Sequence, residues 1–133
     1  MPSWSLCIAT LNRHDVLLSA LGNALRQTRP PGQIVIVDAS DTWQDTKQAV
    51  EEMTAGSAQI ELCYVPAEER SSATQRNQGI SLCTQDIVFM LDDDSFMHPT
   101  CAEELLRIYE ADPDAALAGV AAALVGELSL IHI

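Results

Sequence analysis

Ile87-Val88-Phe89-Met90-Leu91-Asp92-Asp93-Asp94 is the stretch on which the reading of the whole chain turns. Five apolar residues suited to a buried strand run directly into three adjacent carboxylates. Neighbouring ionised acids repel, and such a cluster persists where a cation or hydrogen-bond donors offset the charge. Hard divalent ions such as Mg²⁺ and Mn²⁺ favour carboxylate oxygens, and with only one or two protein acids they are completed by water and substrate phosphates. The pattern therefore points to a metal-assisted diphosphate site at the carboxyl end of a strand, where open α/β sheets bind ligands. The plain alternative is a solvated turn in which Asp94 or Ser95 caps the next segment of chain.

Outward from this strand, β-rich runs alternate with stretches of helical period. Ser5 to Ala9 and Gln33 to Val37 read as strands, and Ile34-Val35-Ile36-Val37 suits a strand buried on both faces. Between them Val16, Leu17, Ala20, Leu21, Ala24 and Leu25 recur at helical spacing, with Pro30-Pro31-Gly32 as the stop. A second helix is expected from Trp43 to about Thr54, with Val50 and Met53 inward and Gly56 at its end. Ile60 to Val65 forms a third strand, and Ala73 to Cys83 a helix capped by Ser71 or Ser72. After the acids, Thr100-Cys101-Ala102-Glu103 has the form of a capping box. It opens a helix with Leu105, Leu106 and Tyr109 inward and Asp112-Pro113 at its stop. Ala115 to Val125 is an alanine-rich candidate for a fifth strand. The order implies a mostly parallel sheet flanked by helices, since parallel neighbours require crossover connections.

At 133 residues the chain can build one modest domain. Its net charge of −12, with Lys47 the only lysine, excludes a nucleic-acid surface and disfavours anionic membranes. An acidic protein still binds a nucleotide where a divalent ion and a few arginines invert the local field. Cys7, Cys63, Cys83 and Cys101 show neither zinc-ligand spacing nor a disulfide framework, which suits a reducing, cytoplasmic compartment. No signal-peptide pattern is present, and the longest weakly apolar run is too short to span a bilayer.

The polar residues that follow different strands converge on one rim of such a sheet. Thr10, Asn12 and Arg13 follow the first strand, Asp38 ends the second, Arg76 and Asn77 follow the third, and Asp92, Asp93 and Asp94 follow the fourth. Asp38 can accept hydrogen bonds from a ribose hydroxyl or a base N–H, or can simply start the turn Asp38-Ala39-Ser40-Asp41. Arg76 can pair bidentately with phosphate or stand as a surface arginine. His14 and His98 lack partners at ligand spacing, Trp4 and Trp43 suit packing, and Glu68, Glu69 and Arg70 read as a solvated loop.

Four stretches in this order resemble the family 2 glycosyltransferases of the GT-A fold. They are Ala9-Thr10-Leu11-Asn12-Arg13, Ile34-Val35-Ile36-Val37-Asp38-Ala39-Ser40-Asp41, Arg76-Asn77-Gln78-Gly79-Ile80 and Phe89-Met90-Leu91-Asp92-Asp93-Asp94-Ser95. The resemblance runs from about Ser5 to Val125. It implies an α/β, Rossmann-like GT-A fold and transfer of a sugar, with inversion, from a nucleotide-diphospho-sugar donor to a saccharide or lipid-linked acceptor. It implies that Thr10, Asn12, Arg13 and Asp38 hold the base and ribose, and that Arg76 steadies the diphosphate. The D-x-D element falls on Asp92 and Asp94, with Asp94 the first choice for Mn²⁺ or Mg²⁺, Asp92 also a metal ligand, and Asp92 or Asp93 for ribose. The family's catalytic base lies well beyond the D-x-D, whereas here the only acid after Asp114 is Glu127, so the base is expected outside this chain.

Residues 1–127 accordingly read as the nucleotide-sugar-binding part of a GT-A domain truncated at its C-terminus, with a cytoplasmic or membrane-face location in a longer protein. Leu128-Ser129-Leu130-Ile131-His132-Ile133 matches an in-frame translation of a sequencing-library transposon end and is expected to be a non-native tail. The rival readings are a nucleotidyltransferase, whose glycine- and lysine-rich first loop is missing, and a phospho-acceptor domain, whose late lysine is missing. A non-catalytic nucleotide-binding module is the third.

Overall fold

The computed structural model describes residues 2–112, 114, 119 and 120. Four strands, β1 (Trp4–Thr10), β2 (Gln33–Asp38), β3 (Glu61–Pro66) and β4 (Ile87–Asp92), alternate with four helices in the described residues. The helices are α1 (His14–Leu25), α2 (Trp43–Thr54), α3 (Ser72–Leu82) and α4 (Cys101–Glu110). The strands form one parallel sheet in the order β3-β2-β1-β4. The chain therefore steps outward from β1 through β2 to β3 and returns to the other side of β1 with β4. That reversal creates a crevice at the carboxyl ends of β1 and β4, the place where open α/β sheets receive ligands.

The two inner strands are apolar on both faces because both are covered. Leu6, Ile8, Ile34 and Ile36 pack with Leu17 and Leu21 of α1, Val50 of α2 and Leu106 of α4. The alternate residues Cys7, Val35 and Val37 lie against Gly79 of α3. A β-carbon on Gly79 would stand 2.5 Å from the Cys7 sulfur, so glycine here lets the helix approach the sheet closely. Trp4 is buried and its ring lies 4.4 Å from that of Phe89, as expected of a packing residue. Trp43 packs at the margin of the same core. All four cysteines are free thiols, Cys7 buried and the others half-buried.

Local details depart from expectation for identifiable reasons. Helix α1 ends at Leu25, before the proline pair. The following residues are fastened elsewhere: Gln27 donates to the His98 carbonyl at 2.8 Å and accepts from the Ala102 N–H at 3.1 Å, and Thr28 N–H donates to the Pro99 carbonyl at 2.8 Å. These tertiary bonds outweigh the helix-stop signal of the prolines. Val16 faces outward rather than inward. The capping box at Thr100 does not form, because Glu103 accepts instead from Thr28 and pairs with Arg107. Leu106 is fully buried, with Leu105 packed at the margin. The candidate strand Ala115 to Val125, apart from Gly119 and Val120, and the tail Leu128 to Ile133 lie outside the described residues. Among the described residues no helix is long and apolar enough to cross a membrane.

Candidate functional site

The parallel register brings the predicted residues to one level: Thr10 pairs with Asp38, and Ala9 with Asp92, so that Asp93 extends beside Thr10. Asp38 is 2% exposed. Its Oδ1 accepts from the Ser40 N–H at 2.8 Å, and its Oδ2 accepts from the hydroxyl of Tyr64 on β3. The turn-starting role is thus real, yet it uses only part of the carboxylate's acceptor capacity. Burial first, and the hydrogen bond and charge of Asp38 next, push the Tyr64 phenol well above its ordinary range. It stays a donor to Asp38.

Ser40 in turn accepts from the Asn12 N–H at 2.6 Å. Asn12 sits at φ 53°, the left-handed region that asparagine tolerates better than most residues. His14, the first residue of α1, shares a hydrogen bond of 2.8 Å with Thr46 of α2. Thr10, Asn12, Arg13, His14, Asp38 and Ser40 border a cavity of about 230 Å³ at the carboxyl ends of β1 and β2.

On the other side of β1 the acids are held apart by arginines. Asp93 is buried: Oδ2 accepts from Thr10 Oγ1 at 2.8 Å, and Oδ1 accepts from Arg13 Nη1 at 3.2 Å. The same nitrogen lies 3.2 Å from Asp94 Oδ2. Arg76 Nη2 donates to Asp92 Oδ1 at 3.0 Å. Asp92 and Asp94 are 63% and 56% exposed at the side chain, so their charges meet solvent and the cleft while Asp93 is committed inward. The cleft has a volume of about 430 Å³ and is bordered by these three acids and by Arg13, Arg70 and Arg76. Three of the chain's seven lysines and arginines therefore stand at one crevice of a strongly acidic protein.

Among the described residues, no three histidine, cysteine, aspartate or glutamate side chains converge as a self-sufficient metal cage. The exposed oxygens of Asp92 and Asp94 nevertheless suit a hard cation that takes one or two protein carboxylates and completes its shell from phosphates and water. Asp93 suits this less, because both its oxygens already accept hydrogen bonds within the protein.

Sequence reasoning overlooked several contributors. Tyr64 and Thr46 reach the site only through the fold. Arg70 lies on the exposed loop as expected, and there it pairs with Asp41 at 3.1 Å and borders the cleft. Its loop is pinned to α3 by Gln78, which accepts from the Glu68 N–H at 3.0 Å and donates to the Pro66 carbonyl at 3.1 Å. Gln75, beside Arg76, is buried over the ends of β1 and β2. A glutamine one turn before Gly79, on a helix pressed close to the sheet, was the signal available for it.

Comparison with known proteins agrees with this architecture. The chain is 30% identical over 115 residues to the glucosyl-dolichyl phosphate glucuronosyltransferase of Haloferax volcanii, covering 86% of this chain and 36% of the relative. It is 28% identical over 107 residues to the uncharacterized glycosyltransferase YwdF of Bacillus subtilis, covering 80% and 38%. It thus spans little more than a third of the length of these relatives. Two solved structures share the fold. The mannosyltransferase PcManGT of Pyrobaculum calidifontis, in complex with GDP-Man and Mn²⁺, matches at a TM-score of 0.60 and 23% identity, over 71% of this chain and 28% of that one. S. aureus TarS 1-349, in complex with UDP, matches at 0.62 and 15%, over 82% and 32%. The sheet and its flanking helices are those of the GT-A glycosyltransferases. The model of the glycosyl transferase family 2 matches residues 5–130, and the chain belongs to that family.

Proposed function

We propose that these residues form the donor half of a sugar-transfer site that takes a nucleotide-diphospho-sugar and, with a divalent ion, delivers the sugar to an acceptor hydroxyl with inversion. The observation that carries this reading is the pairing, on either side of β1, of a polar cavity built on Asp38 with a crevice holding three aspartates and three arginines. The first matches a nucleoside, which needs fixed acceptors and donors. The second matches a diphosphate, which needs cations.

In this reading Thr10, Asn12, Arg13 and Asp38 bind base and ribose, Asp92 or Asp93 assists at the ribose, and Arg76 binds the diphosphate. Asp94, with Asp92, would hold Mn²⁺ or Mg²⁺, which supplies Lewis-acid stabilisation of the leaving phosphate. Arg76 orients the diphosphate and stabilises the negative charge that grows on it as the glycosidic bond breaks. Thr10 and Arg13 hold Asp93 and so keep the turn in place. The GDP-Man and Mn²⁺ bound by PcManGT, and the UDP and UDP-GlcNAc bound by TarS, support a donor of this class. The dolichyl phosphate-linked sugar in the name of the H. volcanii relative supports a saccharide or lipid-linked acceptor. Four free cysteines support a reducing, cytoplasmic location.

Transfer also needs a general base within hydrogen-bond reach of the acceptor hydroxyl. Among the described residues, the only carboxylates bordering the crevice are Asp92, Asp93 and Asp94, all of them paired. The base is therefore assigned outside the described residues, and the chain by itself binds donor without transferring sugar. That favours, for this chain alone, the second reading as a nucleotide-binding module. The test is nucleoside diphosphate release from UDP-, GDP- and dTDP-sugars with simple acceptors. The chain should show no acceptor-dependent release, whereas a longer protein containing it should turn over and lose that activity in Asp94→Ala. Acceptor-dependent turnover by the chain alone would place the base within it.

A further inference from the structure

We infer that Gln75 is a positioning residue that locks together the two strand ends carrying the donor site, an inference that rests on the donor-binding reading above. Its Nε2 donates to the Thr10 carbonyl and to the Val37 carbonyl, each at 3.1 Å, and the side chain is 4% exposed. The orientation of the amide is fixed by chemistry, because both neighbours are acceptors and only the nitrogen carries protons. The Thr10 carbonyl already accepts from the Ala39 N–H at 3.0 Å, so Gln75 adds a second bond at the place where the β1–β2 ladder ends.

The consequence lies at Thr10 itself on β1 and one residue beyond Val37 on β2. Thr10 carries the hydroxyl that holds Asp93, and Val37 precedes Asp38, the acceptor at the base of the nucleoside cavity. Beyond the ladder the loops Leu11–Arg13 and Ala39–Asp41 are joined by the bond from the Asn12 N–H to Ser40 Oγ, and Gln75 braces the strand ends from which both loops start. Gln75 is able to span them because Gly79, one turn along the same helix, lets α3 sit close on Cys7 and Val37. Arg76, the next residue, is thereby placed over the crevice with Asp92. One side chain thus ties the nucleoside cavity and the diphosphate crevice into a single frame. The effect should fall on nucleoside recognition, which needs fixed hydrogen-bonding partners, rather than on the attraction of phosphate to arginines.

The test compares wild type with Gln75→Met, which keeps the length and burial but lacks the donors, and with Gln75→Glu. Calorimetry with UDP and GDP should show affinity falling five- to twentyfold in Gln75→Met, while inorganic pyrophosphate binds both proteins equally. Gln75→Glu should bind nucleotide better as pH is lowered, since only the protonated acid can donate to a carbonyl, whereas Gln75→Met should show no such added dependence. Amide exchange, which needs no ligand, should accelerate at Asn12 and Ala39 in Gln75→Met while Leu6 to Ile8 stay protected. If wild type binds neither nucleotide, the donor reading fails, and the exchange pattern still decides whether Gln75 locks the strands. If wild type binds but the variants match it, or if pyrophosphate binding falls equally, the positioning role is wrong. Unchanged exchange at Asn12 and Ala39 would overturn it as well.

Discussion

The β1–β2 seam and the β4 turn lie on either side of one strand, yet they are built by opposite means. At the seam, Asp38, Ser40, Tyr64 and Gln75 are buried and hydrogen-bonded to one another or to the backbone of the strand ends. At the β4 turn, Asp92 and Asp94 are exposed and meet arginines that are themselves about half exposed. A buried polar network is costly to break because an orphaned partner keeps its desolvation penalty. An exposed ion pair contributes little to folding and is easily exchanged for a ligand's charges. The seam is a frame, and the turn is a charge reservoir.

The largest effect is expected where the frame is cut. Asp38→Ala would leave the Tyr64 hydroxyl and the Ser40 N–H without their acceptor, costing roughly 2–4 kcal/mol of stability. Nucleotide affinity should fall more than tenfold. Denaturant unfolding and calorimetry would check both, and an unchanged midpoint would show that water replaces the carboxylate readily. Gly79→Ala comes next, at about 1–3 kcal/mol, because the added methyl collides with a buried sulfur and overpacking strains a close-packed interface. Combining it with Cys7→Ala should recover most of the loss, whereas simple additivity would mean that the contact is not the cause.

Alkaline pH tests the same frame more gently. Cys7 is pushed up to about 12 by burial, with Cys83 adding to the shift, and Tyr64 is raised as well. Acids that ionise later in the folded state keep protons that the unfolded chain has lost, so stability is complete below their unfolded values of 9.0 and 10.0. It falls as pH rises beyond them. Tyr64→Phe should flatten that slope above pH 10, and an identical slope would remove the phenol from the account. The smallest stability change belongs to the reservoir: Asp92→Asn and Asp94→Asn should each shift stability by no more than about 0.5 kcal/mol. Asp94→Asn should nonetheless abolish any metal dependence of nucleotide binding. A large fall in melting temperature on either substitution would erase the distinction between frame and reservoir.

The same contrast explains what the sequence revealed. The β4 turn was legible because its chemistry is local: an apolar run followed by three acids announces both a strand and a charged site. Strand and helix order were legible for a similar reason, since Ile34 to Val37 and the α1 spacing carry their own period. The seam was not, because Tyr64 reaches Asp38 only across the β2–β3 register, and Gln75 reaches Thr10 and Val37 only once α3 lies on the sheet. The helix ends at Leu25 and Thr100 went the same way, as tertiary partners replaced the local signals.

The central claim is that the two regions together hold one nucleoside diphosphate. Calorimetric titration of the full chain with UDP and with GDP, in Mn²⁺ and again in chelator, tests it most directly. The account predicts one-to-one binding of at least one nucleotide in Mn²⁺, weakened at least tenfold by the chelator. No binding under either condition, or equal affinity in both, would contradict it.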